Sequence, residues 1–247
     1  MLRRGGTIER LPWWARYRVV MSMKTNIFQF IQRYIAILVV VGIGSFASAD
    51  TIAVPQEVLT IQEAIDLAQG DDVVIVAPGR YNEAINFKGK AITLKSEKGS
   101  ARTTIDGWNL RDSVVKCISG EGPSTVLDGF TITGGTGNED LYSKKEAVGG
   151  GLLCLHSSPT IMNCIFVSNE SKYQGGAVFN GSRSNTVLRN CIIKDNVSER
   201  GGGFYNSRGR PEIIDCEISS NNARYGGGGM YNFGSDVRII DCTFEHN

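Results

Sequence analysis

The chain has 247 residues, with 26 lysines and arginines against 25 aspartates and glutamates, for a formal net charge of +1. That balance provides no basic stripe to neutralise phosphates, so no nucleic-acid partner is expected. With 30 glycines, only 6 prolines and 41% hydrophobic residues, the composition excludes a disordered chain and asks which backbone positions need glycine.

The first fifty residues read as a targeting segment. Arg33 precedes an apolar run from Ile35 to Ile43, and Ala47-Ser48-Ala49 closes it. Crossing a bilayer takes about 18 or more apolar residues, so the run is a signal-peptide core and not a span. Cleavage is expected after Ala49, making the protein exported (secreted, periplasmic or cell-surface) and tying it to the membrane only through the removed peptide. Arg3, Arg4, Arg16 and Arg18 around Trp13 and Trp14 form an unusual preface, and Met21 or Met23 is the more conventional start. The expected division is therefore 1–49 as extension and signal peptide, 50–72 as a cap, and 73–247 as one repeat domain.

Within the cap, Leu59 to Ala68 has helical spacing and Gly70 is its stop. A helix there would cover the open end of a sheet array, whose bare edge otherwise invites aggregation. Short strands follow at Val73 to Val76 and around Ile85, Ala91 to Leu94, and Thr104 to Gly107, with a turn at Ala77-Pro78-Gly79. The segment Val126 to Ile132 is a degenerate copy of a block that later becomes regular. Thr136 to Val148, carrying Glu139, Asp140, Lys144, Lys145 and Glu146, reads as an insertion within one repeat.

From Gly149 onward the repeat is explicit. The clusters that begin at Gly149, Gly175, Gly201 and Gly227 are 26 positions apart. Leu153, Phe179, Tyr205 and Tyr231 share one register, and Cys154, Asn180, Asn206 and Asn232 the next. Cys164, Cys191, Cys216 and Cys242 share another, each followed five residues later by Asn169, Asn196, Asn221 or Asn247. A fixed period of this length marks a solenoid or array. No unit holds two amphipathic runs long enough for helices, and a propeller blade needs about 40 residues, so each unit is a coil of short strands. The fold class expected is all-β: a right-handed parallel β-helix of about 26 residues per coil.

In such a coil each residue returns roughly 4.8 Å above its equivalent. The residue after each cysteine is Ile165, Ile192, Glu217 or Thr243; it tolerates charge and faces solvent, so the cysteine and the residue two beyond it face the core. Stacked parallel Cβ vectors suit a disulfide poorly, so the four cysteines are expected to form a buried thiol column, with Cys117 and Cys154 outside it. Leu152, Val178, Phe204 and Met230 claim the inward face in the next strand, which directs Phe179, Tyr205 and Tyr231 outward by alternation.

Two resemblances attach to particular residues. Thr60 to Ile65, Ala77-Pro78-Gly79-Arg80-Tyr81-Asn82-Glu83 and Lys90 to Leu94 resemble the opening of pectin-lyase-like β-helix proteins, pectin methylesterases among them. Gly175-Gly176-Ala177-Val178, Phe166 to Asn169 and Phe244 to Asn247 resemble the repeats of polymorphic outer-membrane proteins. Together they cover nearly all of the chain after the signal peptide, and they imply the fold far more specifically than an activity.

Catalytic motifs of those families are absent: neither the aspartate and arginine settings of pectin methylesterases nor the polygalacturonase signatures occur. Asp71-Asp72 reads as a turn, and His156 and His246 as turn residues. Asp106, Asp128, Asp195, Arg183, Arg189 and Arg200 would make a lyase site only if the fold brought them to one face. The glycine runs lack a phosphate-loop lysine and the calcium β-roll pattern, so no metal or cofactor is assigned; calcium enters only under a lyase reading.

The expected function is an exported, non-catalytic β-helix that binds carbohydrate or a partner surface. Its candidate site is Tyr173, Phe179, Arg200, Tyr205, Arg224 and Tyr231, with Glu139, Asp140, Lys144 and Lys145 in the insertion. The alternatives are a pectate-lyase-like lyase or a hydrolase of acidic glycans, and a passenger segment of an autotransporter-like protein. Further coils or a subunit are expected at the edge after Asn247.

Overall fold

The computed structural model describes residues 49–138 and 147–247. The expected signal peptide and the insertion residues Glu139, Asp140, Lys144 and Lys145 lie outside them. The described residues form three parallel sheets and one small fourth sheet. Sheet A runs from Thr51–Val54 through Val73–Val76, Thr93–Ser96, Val126–Asp128, Thr160–Met162, Val187–Arg189 and Glu212–Ile214 to Arg238–Ile240. Sheet B runs from Gly79–Tyr81 to Thr243–Glu245, and sheet C from Ile85–Asn86 to Met230–Phe233. Val197–Arg200 and Asn222–Gly226 pair as sheet D on the connection from B to C. Every strand pair is parallel, and the chain visits A, B and C in turn. This is a right-handed parallel β-helix, the hand that parallel crossovers take in nearly all cases.

The interior is three apolar columns, one per sheet. Register stacks Val74, Leu94, Leu127, Ile161, Leu188, Ile213 and Ile239 in sheet A. Ile105, Ile132, Phe166, Ile193, Ile218 and Phe244 stack in sheet B. Ile85, Val115, Leu152, Val178, Phe204 and Met230 stack in sheet C. Parallel strands of a solenoid bury one face, and each column places like side chains over like, so packing is solved once and copied.

The corners explain the glycines. Successive coils turn at left-handed residues: Asn163, Asn190, Asp215 and Asp241 between A and B, and Ser168, Asp195, Ser220 and His246 at the end of B. His156, Arg183, Arg208 and Gly234 turn from C to A. The corner entering sheet C requires glycine in each of the last four coils. A Cβ on Gly201, whose φ is +67°, would lie 2.1 Å from the Phe204 carbonyl oxygen, a contact no side chain survives. The other corners admit asparagine, aspartate and serine, whose side chains can bond the turn backbone.

The asparagines form ladders. Asn169, Asn196 and Asn221 each donate Nδ2 to the Oδ1 of the next, at 3.1, 2.9 and 2.9 Å, ending on Asn247. Each Oδ1 from Asn196 onward also accepts the backbone N–H of the asparagine below it. A second ladder joins Asn180, Asn206 and Asn232 at 2.8 Å. Asn169, Asn180, Asn196, Asn206 and Asn221 are buried, while the terminal members Asn232 and Asn247 are exposed, and no buried side-chain polar atom among the described residues lacks a partner. The six cysteines are free. Cys164, Cys191 and Cys216 are buried in one column, and Cys117 sits beside Cys154 in sheet C as a second, shorter one. Burial pushes the Cys164 thiol up to about 12.

The front end is closed as expected. Helix Ile61–Leu67 is capped by Thr60, whose Oγ1 accepts from the Glu63 N–H at 3.1 Å, and it buries Ile61, Ala64 and Ile65. Glu83 accepts from the N–H groups of Ile61 and Gln62, both at 2.9 Å, which ties the helix to the first coil. Asp72 is buried and accepts from the Asp50 and Gln69 N–H groups, so the Asp71-Asp72 pair serves a turn. Among the described residues no helix is long and apolar enough to cross a membrane.

Two outcomes follow. Asn196→Ala strands its ladder neighbours and the Phe166 carbonyl, which Asn196 Nδ2 bonds at 3.0 Å; a loss of about 2–4 kcal/mol is expected in urea unfolding, since each orphaned buried group costs about 1–3 kcal/mol. A loss below about 1 kcal/mol would show that the ladder is not a structural support. The second concerns pH. Because the folded pKa of Cys164 is raised above its ordinary value of 9.0 to about 12, its contribution is complete below pH 9 and is lost as pH rises toward 12. Cys164→Ala should flatten the alkaline fall in denaturation midpoint.

Candidate functional site

The connections from sheet B to sheet C carry most of the chemistry that the corners and columns do not need. Successive coils place 107–112, then 134–138 with 147–151, then 168–177, Val197–Arg200 and Asn222–Gly226 along this one side. Asn138 and Val148 pair in an antiparallel bridge and close the base of the insertion. A ladder of Val148, Gln174, Arg200 and Gly226 continues upward from it.

That ladder decides the fate of the aromatic column. Lys116, Leu153, Phe179, Tyr205 and Tyr231 share the outward register of sheet C, as alternation requires. Phe179 stacks on Tyr205 at 5.5 Å and Tyr205 on Tyr231 at 5.3 Å, with nearly parallel rings. The rings are nevertheless covered: Phe179 is 2% exposed and Tyr205 6%, in a small outer cluster with Val148 and Leu153, against which Ile118, Leu155 and Tyr231 pack. Glycine is the reason. Without side chains at the corner, the incoming connection lies flat on the outer face of the sheet. Burial raises the Tyr205 hydroxyl above its ordinary range, with a further push from Tyr231, while nearby Arg200 acts in the opposite sense. Phe179 and Tyr205 are thus a second core and offer no ring face to a sugar; the expectation of an open aromatic stripe is corrected at these two positions. Tyr231 is half-buried.

What remains accessible is a groove of about 620 Å³ on the same side. It is lined by cations Arg111, Lys172 and Arg224, by carboxylates Glu170 and Glu199, and by Thr136, Ser171, Ser198 and Val197. Two of the cations lie over neighbouring rings: Lys172 over Tyr173 at 5.2 Å and Arg224 over Tyr225 at 5.0 Å. Tyr225 is 58% exposed and Val197 44%. The structure therefore brings Tyr173, Arg200 and Arg224 to one side, beside the base of the insertion. The sequence reading missed Trp108, 66% exposed on the connection that also carries Arg111. A lone tryptophan in the polar run Asp106-Gly107-Trp108-Asn109 was the available signal. Its loop is fixed by Asp106, which receives both Nε and a terminal nitrogen of Arg80, at 2.8 and 2.7 Å, and the Trp108 N–H at 3.0 Å. Asn82 donates to the carbonyls of Asp106 and Trp108.

The lyase-type set does not converge. Asp106 sits in sheet B. Asp128 and Arg189 share one column of sheet A two coils apart, where Asp128 accepts from Asn163 at 2.6 Å. Asp195 occupies a corner after sheet B, Arg183 a corner after sheet C, and Arg200 the connection between B and C. His156 and His246 are left-handed corner residues. An acidic cleft of about 440 Å³ gathers Asp215, Glu217, Asp241 and Glu245. Among the described residues no group of His, Cys, Asp and Glu is arranged to hold a metal ion.

The fold places the chain in the class of right-handed parallel β-helices. No family model matches the chain, and no curated protein matches it significantly. Solved structures similar to it include a pectin methylesterase from carrot, at 12% identity over 82% of this chain and 85% of that one, TM-score 0.43. A pectin methylesterase in complex with a hexasaccharide is similar at 10% identity over 81% and 90%, TM-score 0.42. The Aspergillus niger pectin methylesterase is similar at 13% identity over 81% and 87%, TM-score 0.40.

The two kinds of aromatic residue separate experimentally. Tyr205→Ala should cost about 3 kcal/mol or more in unfolding, as truncation of a buried ring does. Tyr225→Ala should leave the unfolding midpoint within about 0.5 kcal/mol, as exposed substitutions do. Equal costs would refute the division into covered and open rings.

Proposed function

We propose that this protein is an exported, non-catalytic β-helix that binds an acidic polysaccharide along the side formed by its B-to-C connections. The observation that carries the reading is the groove where Arg111, Lys172 and Arg224 lie together beside exposed Tyr225. Arg111, Lys172 and Arg224 stand on alternate coils of a rigid solenoid, a regular spacing that suits a linear chain with repeating carboxylates, and guanidinium forks bind carboxylates bidentately. Exposed rings offer apolar faces against which sugar rings can pack, and Trp108 extends that supply along the same side. Export rests on the amino-terminal signal, from Arg33 to Ala49.

A second reading has one observation in its favour. Glu170 and Glu199 line the same groove as the cations, and a carboxylate pair is the minimum for acid–base cleavage of a glycan. On that reading the protein is a lyase or hydrolase of acidic glycans.

The test is a titration of the full chain with polygalacturonate, methyl-esterified pectin and neutral xylan by isothermal calorimetry, with product assays for unsaturated uronides, methanol and reducing ends. Binding is expected for polygalacturonate, weakening with salt, and Lys172→Ala with Arg224→Ala should lower it by about tenfold or more, or about 1.4 kcal/mol. Undiminished binding in the double variant, or none in the parent, contradicts the site. Product formation that disappears in Glu170→Gln or Glu199→Gln would install the enzymatic reading instead.

A further inference from the structure

A second cationic site lies on a different edge of the solenoid, at the corners that lead from sheet C back to sheet A. Three arginines from two successive coils, Arg183, Arg208 and Arg210, line one cavity of about 540 Å³ with Asn185, Gly209, Gly234 and Asp236. Three guanidinium groups against one carboxylate leave this small volume strongly positive. Arg210 reaches Asp236 only at 4.0 Å, with both side chains more than four-fifths exposed, so that contact is a weak partner. Among the described residues Arg183 and Arg208 pair with no carboxylate.

The backbone adds an independent reason to look here. Arg183 and Arg208 occupy left-handed conformations, with φ of +62° and +54°, at a corner where the next coil uses Gly234 at +61°. Left-handed backbone disfavours a residue with a long side chain, and asparagine or glycine is the low-strain choice. Two arginines are held there in successive coils, where the neighbouring corners use short side chains such as asparagine, aspartate and serine. Strain that the structure retains points to a use for the side chain. Preorganisation is visible as well. Arg208 lies over the Phe233 ring at 5.8 Å, a contact that helps to hold the guanidinium in place. The Arg210 N–H is tied to Asn185 Oδ1 at 2.7 Å, which turns the Asn185 amide NH₂ toward other acceptors.

We propose that this corner is a binding site for a tetrahedral divalent oxyanion, the chemistry shared by phosphate and sulfate groups. Arginine forks meet such oxygens two at a time, and a doubly charged group answers more of the three guanidinium charges than a single carboxylate does. The site is separate from the groove of the B-to-C side and does not depend on what binds there.

The probes are sodium phosphate, sodium sulfate and sodium acetate, each titrated into the full chain at constant ionic strength and followed by calorimetry, with thermal unfolding measured in parallel. Phosphate and sulfate should bind competitively, and acetate about tenfold more weakly or worse. Arg183→Gly with Arg208→Gly should abolish this binding while holding or raising Tm, because glycine relieves the corner; loss of binding with a preserved fold separates a ligand role from a structural one. Arg183→Gln with Arg208→Gln, which removes charge without adding glycine, should abolish it too. Arg208→Lys keeps the charge, loses the fork and should bind between the two, and Lys95→Ala, at an exposed position of sheet A, should bind as the parent does. Phosphate and sulfate without effect on the parent, acetate equal to both, or double variants that bind undiminished would each overturn the proposal.

Discussion

The structure depends on one constraint: every coil must lie in register above the one before, so that each side chain meets its own kind about one strand spacing away. A buried asparagine meets this constraint when its neighbour is also an asparagine, because each amide then donates to one partner and accepts from the other. Asn169, Asn196, Asn221 and Asn247 form such a chain, with backbone N–H groups sharing the same oxygens. A coil slipped by one residue would break these amide pairs and exchange inward for outward side chains along the strands, at the cost of unpaired polar groups. The interior ladders therefore fix register, and the apolar columns supply the bulk of the burial.

That constraint also sorts the surface. Positions inside the columns and at the corners are committed to stacking, and their residue types repeat. Positions on the B-to-C connections vary in length and chemistry because less of their environment is copied from coil to coil. Cations, carboxylates and exposed rings collect there, from Trp108 and Arg111 to Arg224 and Tyr225. The corner at Arg183 and Arg208 is a departure of another kind. There the register position is kept, but the residue is one that the backbone disfavours.

The same division explains what the sequence disclosed. Glycine, cysteine and asparagine registers were legible because each answers a demand that recurs along the later coils: a Cβ-free corner, a small buried column, a self-pairing amide. The adjacency of Cys117 and Cys154 was hidden, since they are 37 residues apart and the connections between them differ from the 26-residue coils that follow. Alternation correctly directed Phe179, Tyr205 and Tyr231 away from the interior, but it cannot tell what lies on top. The covering ladder of Val148, Gln174, Arg200 and Gly226 shares no residue type, so no pattern announced it. Grouping of Lys172, Glu170, Glu199 and Arg111 in one groove is likewise a product of coil stacking, invisible to spacing along the chain.

The central claim is in-register stacking of consecutive coils, and chemical cross-linking tests it directly. Ile165 and Ile192 are outward-facing register partners in sheet B, whereas Ile165 and Lys194 are offset by two residues. Cysteines placed at Ile165 and Ile192 in the native full chain, treated with a short bifunctional thiol reagent, should be bridged within the monomer, as read by peptide mass spectrometry. The pair at Ile165 and Lys194 should bridge far less. Bridging of the offset pair in preference to the register pair, or of neither, would contradict the account.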